Sequence, residues 1–361
     1  MSAIYNFNAG PAILPAPVLE RAQHEMRDYQ GRGMSILEMS HRSPEYETIN
    51  AEAAERLKRL LDIGEEYHVL FLQGGASMQF AMLPLNALPP DTSADYILTG
   101  AWAEKAYEEA LRVGRARAAA STADNSYRSV PSQADLALDP NAAYVHITSN
   151  ETIQGVQWHA WPDVGDVPLV ADMSSDILSR PLETQRFALI YAGAQKNLGP
   201  AGVTIVVIHD AFLRRTSPNL PVMLRYVTHV KNRSLYNTPP VFAVYMVNLV
   251  LAWIEEQGGL AAIEERNRRK AATLYQVIDA SDSFYRGHAA PEHRSLMNVT
   301  FRLPDETLEK RFVAEATAQG MVGLAGHRSV GGIRASIYNA MAQEGCDALA
   351  AFMTDFMRRN G

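Results

Sequence analysis

Short apolar or alternating runs recur along the middle of the chain, at His68 to Gln73, Asp95 to Gly100, Ala143 to Ser149, Pro168 to Ser174, Ala188 to Ala194 and Val203 to His209. Helical patterns such as Ser77 to Leu88 and Ala103 to Gly114 separate several of them. A parallel strand can be reached only through a crossover long enough to hold a helix, so this alternation predicts an α/β unit around a mostly parallel sheet. Amphipathic helices are expected before it, from about Val18 to Tyr29 and from Pro44 to Leu61, the latter opened by Ser43-Pro44. Ala116 to Asp139 has no clear period and reads as a surface excursion.

After the sheet comes an apolar helix, Val241 to Ile254, with Thr238 as N-cap, Pro239 at the first helical position and Gly258 just past the end. The grammar then shifts to a charged helix (Gly259 to Ser281), a strand (Met297 to Leu303), a helix (Asp305 to Gln319), a Gly-rich strand region (Leu324 to Ile337) and a last helix (Gln343 to Arg359). The expected division is a large α/β domain over residues 16–258 and a smaller α+β domain formed by 259–361 with the N-terminal segment 1–15. At 361 residues the chain exceeds the usual span of one domain.

Composition narrows the function classes. One cysteine, Cys346, makes no internal disulfide and no thiolate metal site, so the cytoplasm is the expected compartment and no metal is expected. A net charge of −7 disfavours a sequence-independent grip on nucleic acid or on an anionic membrane surface. Met1 to Gly10 has no basic start or apolar stretch of a targeting segment. Val241 to Ile254, interrupted by Asn248, falls short of the roughly 20 residues that cross a bilayer.

The segment Tyr191 to Gly202, Y-A-G-A-Q-K-N-L-G-P-A-G, places one lysine, Lys196, among small residues between two apolar runs. An isolated loop lysine usually faces solvent. Enclosed at a strand end, however, its amine is pushed toward the neutral, nucleophilic form that takes up aldehydes. Upstream, V-A-D-M-S-S sets Asp172 at the end of an apolar strand, where open α/β sheets bind ligands. An amine and a carboxylate so placed suggest pyridoxal phosphate, whose aldehyde needs a lysine and whose ring nitrogen needs an acid partner. L-Q-G-G-A-S-M-Q-F, from Leu72 to Phe80, offers a glycine turn at a helix start as a phosphate cradle. It is neither a dinucleotide fingerprint nor a Walker loop.

These pieces occur in the order F-N-A-G-P-A, S-H-R, L-Q-G-G-A-S-M-Q-F, N-E-T-I-Q-G, A-D-M-S-S, Y-A-G-A-Q-K-N-L-G-P-A-G, N-T-P-P, G-H-R and G-G-I-R-A-S-I-Y-N-A. In that order, over essentially the whole chain, the sequence resembles the phosphoserine aminotransferase family, class V aminotransferases of the fold-type-I pyridoxal-phosphate group. The resemblance implies a large, mostly parallel seven-stranded-sheet domain and a smaller α+β domain. It implies that Lys196 is the Schiff-base lysine and Asp172 the partner of the pyridine nitrogen. Trp102 would stack on the cofactor ring, Thr152 would bond its phenolic oxygen, and Ala76, Ser77 and Gln195 would hold its phosphate. Asn237 and Thr238 would reach the phosphate of the neighbouring subunit's cofactor, which implies a homodimer with shared active sites.

The implied substrates are glutamate, 3-phosphohydroxypyruvate, phosphoserine and 2-oxoglutarate, in serine biosynthesis, with a phosphorylated four-carbon 2-oxo acid of vitamin B6 synthesis as a second acceptor. All carry at least two anionic groups, and the guanidinium fork suits carboxylate and phosphate alike. By resemblance Arg334 binds the α-carboxylate, and His41, Arg42, His327 and Arg328 form the pocket for the phosphate or side-chain carboxylate. Where this chain has Ser77, some members of the family carry an arginine, so the phosphate pocket is expected to be one cation poorer than theirs. The alternatives are another class V enzyme such as a serine–glyoxylate aminotransferase, which would need fewer cations, and a non-enzymatic small-anion sensor. A cysteine desulfurase would need a mobile thiol, whereas Cys346 sits at a helix-start pattern near the C-terminus.

Overall fold

The computed structural model describes residues 4–361, so the part of the N-terminal segment before Ile4 lies outside the described residues. Seven strands build the central sheet: β1 (Tyr67–Leu72), β2 (Ser93–Leu98), β3 (Arg115–Ser121), β4 (Val145–Thr148), β5 (Leu169–Asp172), β6 (Phe187–Gly193) and β7 (Thr204–His209). Their order is β1-β7-β6-β5-β4-β2-β3. β7 runs antiparallel to both β1 and β6, and the remaining neighbours pair in parallel. The mostly parallel seven-stranded sheet that the resemblance implies is therefore present.

Both faces of this sheet are covered, as a parallel sheet requires. Ile147, Ala171, Ile190, Ala192 and Val207 point to one side, into a core shared with α1 (Ala16–Glu25), α2 (Pro44–Leu61) and α5 (Val241–Glu256). Tyr96, Val170, Leu189, Tyr191 and Val206 point to the other, against α3 (Gly75–Ala87) and α4 (Ala101–Val113). Ser43 caps α2 by accepting the Tyr46 N–H, and Pro44 opens its first turn. A third core holds Phe7, Leu274, Phe301, Phe312, Leu349 and Phe356. It lies among α6 (Gly259–Asp279), α7 (Glu306–Ala318), α8 (Gln343–Asn360) and a small antiparallel sheet of β8 (Arg286–Gly287), β9 (Asn298–Arg302) and β10 (Ile333–Ser336). The N-terminal segment joins this core through Tyr5–Asn6, which pairs with Met321–Val322.

Four expectations change. Residues 116–121 are not an excursion but lie within β3, the sheet's edge strand, in register with β2. Its sequence R-A-R-A-A-A-S leaves most positions exposed, so no apolar period marks it, and charged side chains suit an unpaired edge. Thr238 does not cap the apolar helix; Pro240 occupies that position, and the helix starts at Val241. Adjacent prolines delay the first turn, because the residue before a proline is driven out of helical conformation. The first helix stops at Glu25, and Tyr29 lies in a separate short turn where Gln30 adopts a left-handed φ of 51°. In the Gly-rich region only Ile333–Ser336 is strand, since Gly331 and Gly332 at φ 69° and 74° turn the chain before it. Among the described residues no helix is long and apolar enough to cross a membrane.

Candidate active site

The carboxyl ends of β4, β5 and β6 open on one cleft, lined by Ala76, Ser77, Trp102, Thr148, Asn150, Thr152, Asp172, Ser174, Gln195 and Lys196 among others. Lys196 arrives in the hairpin between β6 and β7, whose neck is closed by the Ala194 N–H on the Val203 carbonyl at 3.1 Å. Its Nζ donates to Thr152 Oγ1 at 2.7 Å and lies 5.8 Å from the centre of the Trp102 ring. Burial drives the ammonium down to about 8, against the opposing pull of Asp172 and Glu151. An amine with that acidity is partly neutral near physiological pH, the condition for a nucleophile.

Asp172 is the last residue of β5. Ser174 donates to its Oδ1 twice, from the main chain at 2.9 Å and from the hydroxyl at 2.6 Å, which leaves Oδ2 for a ligand. Burial raises the carboxyl above its usual range, while the Ser174 hydroxyl and the nearby Lys196 ammonium pull it back. The Ser174 hydroxyl also accepts the Gly193 N–H at 3.0 Å, so one serine locks the strand ends that bear Asp172 and Lys196 together.

Ala76 and Ser77 stand in the first turn of α3. Gly74 and Gly75, at φ 91° and 66°, take a backbone path that side chains disfavour, and no side chain caps the helix. The first amide N–H groups of this 13-residue helix therefore remain for an anion, with the helix dipole behind them. Gln195 lies against the N-terminal segment, where its carbonyl accepts the Ala12 N–H at 2.9 Å.

The predicted cations do not all converge. Arg334, on β10, borders an adjoining cleft with His327, Gln154 and Ile153. It lies near enough for its charge to act on Lys196, and its Nε is buried without a partner. Arg328 is exposed on the loop that precedes β10. Burial and the neighbouring Arg334 push His327 below the usual histidine range. His41 and Arg42 sit elsewhere, just ahead of α2. That helix meets the 233–238 region through Asn50, whose amide donates to the Arg233 carbonyl at 3.1 Å. Thr238 lies beside the segment that leads into α3, where the Gln73 amide donates to its carbonyl at 3.3 Å, yet neither Asn237 nor Thr238 lines the Lys196 cleft.

Two residues of this region were not anticipated. Ser174 lay in plain view in A-D-M-S-S, two positions after the aspartate, the spacing at which a hydroxyl turns back onto a carboxylate. Glu151 is fully buried, and its two oxygens accept the N–H groups of Trp102 at 3.1 Å and Ala103 at 2.9 Å. In the sequence it is only the second residue of N-E-T-I-Q-G, shortly beyond β4, and nothing local points to its partners.

Residues 4–349 match the family described as aminotransferase class-V. The chain belongs to the class V aminotransferases. Within that family it is 59% identical over 358 residues to the phosphoserine aminotransferase of Herpetosiphon aurantiacus, covering 99% of each chain. It is likewise 59% identical over 359 residues to that of Geobacillus kaustophilus, again covering 99% of each. Among solved structures, phosphoserine aminotransferase from Bacillus circulans subsp. alkalophilus superposes with a TM-score of 0.98 at 56% identity over 99% of both chains. A pyridoxal-phosphate-bound phosphoserine aminotransferase from Trichomonas vaginalis superposes at 0.93, with 40% identity over 98% of this chain and 100% of that one.

Proposed function

We propose that this class V aminotransferase moves the amino group of glutamate to 3-phosphohydroxypyruvate, giving O-phosphoserine and 2-oxoglutarate, with pyridoxal phosphate as its cofactor. The observation that carries the reading is the pairing, in one cleft, of a depressed amine with a buried carboxylate beside an uncapped helix start. The donor set fits the cofactor. An amine suits its aldehyde, a carboxylate with one free oxygen suits its ring nitrogen, and the open N–H groups of α3 with the Ser77 hydroxyl suit its phosphate. The relatives' name, phosphoserine aminotransferase, supports phosphoserine and amino transfer, and the partner acids are those the family resemblance implies.

When bound, pyridoxal phosphate supplies an aldehyde that exchanges amines and a ring that withdraws electrons from the α-carbon. Lys196 would hold the cofactor by its amine, and Nζ would act as base and then as acid for the substrate α-proton. Thr152 orients that amine by accepting a hydrogen bond from Nζ. Asp172, its carboxylate fixed by Ser174, would keep the ring nitrogen protonated. Arg334 takes the α-carboxylate, and His327 and Arg328 take the distal anion. Ala76, Ser77 and Gln195 hold the cofactor phosphate, and Trp102 covers the ring.

We further infer a homodimer with shared sites. His41, Arg42, Asn237 and Thr238 do not line the chain's own Lys196 cleft, and in this reading they complete the site of a second copy. The division into a unit of residues 16–258 and one of 259–361 with 1–15 is part of the same reading, supported by the separate core around Phe7, Phe301 and Phe312. A cytoplasmic location follows from the metabolites. The pocket without the cradle arginine still retains two His-Arg pairs for a phosphorylated acceptor of three or four carbons.

The test is a substrate panel with glutamate as donor and phosphorylated against unphosphorylated 2-oxo acids as acceptors. The expected outcome is a preference for the phosphorylated set, and the reverse would favour a serine–glyoxylate type of chemistry. Arg328→Ala should raise KM for the phosphorylated acceptor about ten- to hundredfold, the value of a charge-assisted bond, with cofactor affinity unchanged. Equal loss of both would move Arg328 out of the acceptor pocket.

A further inference from the structure

The start of α4 has no cap of its own. Gly100 stands at the N-cap position without a side chain, although a serine or aspartate there would ordinarily satisfy the first N–H groups. Those groups are instead satisfied from a distant segment. Glu151 accepts from Trp102 and Ala103, and Gln154 Oε1 accepts from Ala101 at 3.4 Å. The arrangement leaves no room for a cap at position 100. A Cβ there would lie 2.5 Å from Glu151 Cδ and 2.7 Å from Gln154 Oε1. Gly100 is extended, at φ 165°, so the missing side chain reflects the space taken by the carboxylate rather than backbone strain. The residue after Glu151 is Thr152, whose hydroxyl accepts the hydrogen bond from Lys196 Nζ. One short segment thus sets both the amine and the indole that borders it.

We propose that Glu151 is the positioning residue for Trp102: its bidentate hold on the first turn of α4 fixes the indole beside the Lys196 amine, and it keeps a negative charge within reach of that amine. The inference rests on the proposed cofactor chemistry, since the indole face matters only if a ring lies against it. Glu151 is buried at the positive end of α4, where a carboxylate is favoured. The titratable groups that act on it or feel it are Asp172 at the end of β5, Lys196 in the β6–β7 hairpin and Tyr127 from the 122–130 loop. Burial pushes the Glu151 carboxyl up to about 7, against the two N–H groups that hold it charged. The Glu151 charge in turn favours the protonated form of Lys196. A residue that merely stabilised the helix would have no such link to the amine.

The experiment titrates cofactor-free protein with pyridoxal phosphate, follows the yellow absorbance of the bound cofactor against pH, and records Tm, for the wild type, Glu151→Gln, Glu151→Asp and Gly100→Ala. The wild type should bind the cofactor; failure there would sink the proposed function rather than this inference. Glu151→Gln sets an amide donor against a backbone donor and removes the charge. It should weaken cofactor binding about tenfold or more and lower the pH midpoint of the absorbance change. Glu151→Asp should restore the midpoint, because the charge returns. Gly100→Ala, which displaces the carboxylate without removing it, should weaken binding with little effect on the midpoint. If Glu151→Gln lowers Tm but leaves affinity and midpoint at wild-type values, Glu151 is only a helix cap and the proposal fails. Should that variant not fold, wild-type affinity in Gly100→Ala would overturn it equally.

Discussion

Lys196 and Lys270 are both enclosed, and burial drives both ammonium groups down, to about 8 and about 7. Their surroundings separate them. Lys196 gives one hydrogen bond to a hydroxyl, has three carboxylates within electrostatic reach and borders a cleft. Lys270, on α6 and only 2% exposed, donates to the main-chain carbonyls of Ile337 at 2.9 Å and Tyr338 at 2.7 Å. One turn earlier on α6, Asn267 donates to Asn339 Oδ1 at 2.8 Å, and the Asn339 N–H reaches Asn197 Oδ1 at 3.0 Å. Lys270 thus clamps the chain just beyond β10, which bears Arg334, and that stretch touches the neighbour of Lys196. Desolvation alone, the contrast teaches, does not make an amine reactive. What matters is whether its protons are committed to fixed carbonyls or left to a cleft.

Exchanging the two lysines' side chains one at a time should break the comparison most sharply. Lys196→Ala is expected to abolish amino transfer and the borohydride-reducible link to the cofactor; retention of either would remove Lys196 from its role. Lys270→Met should instead leave turnover within a few-fold of wild type. It should cost about 1–3 kcal/mol of stability, since two buried carbonyls lose their donor. A lower denaturant midpoint at unchanged slope would show this. A loss of turnover comparable to that of Lys196→Ala would mean that the clamp takes part in chemistry.

The finest distinction is in pH. Lys270 has a folded value of about 7 against an unfolded one near 10.4, so between these limits the unfolded chain binds more protons. Its contribution to stability therefore rises with pH across that window and falls on acidification toward 7. Lys196 adds the same sign over a window that opens near 8. Lys270→Met should flatten the lower part of this slope in cofactor-free protein, and an unchanged slope would show that Lys270 does not titrate there.

The two lysines also show why some of this molecule was legible in the sequence and some was not. Lys196 stood out because its neighbours are glycine, alanine and asparagine between apolar strands. Lys270 sits in E-E-R-N-R-R-K, a run of charged and polar residues, and nothing local reveals that the helix face bearing Asn267 and Lys270 is covered. The helix opened by Ser43-Pro44 was readable because capping is a short-range affair. β3 was not, since its alanines and arginines acquire strand geometry from pairing with β2 rather than from their own pattern. Glu151 escaped notice because its partners lie 49 and 48 residues away, on a helix whose missing cap becomes visible only in three dimensions.

The reversed direction of β7 has a consequence for how the chain assembles. Its pairing with β6 closes as a hairpin, with Thr204 opposite Gly193, whereas the parallel neighbours in the sheet are joined by crossovers. The loop that bears Lys196 can close with a small entropy loss, before the long-range pairings that complete the cleft around it. The amine would then be held in its turn while the carboxylate, the indole and the helix start are still arriving. In pulse-labelled refolding, the amide protons of this hairpin should be sheltered from exchange ahead of those that join β4 to β2.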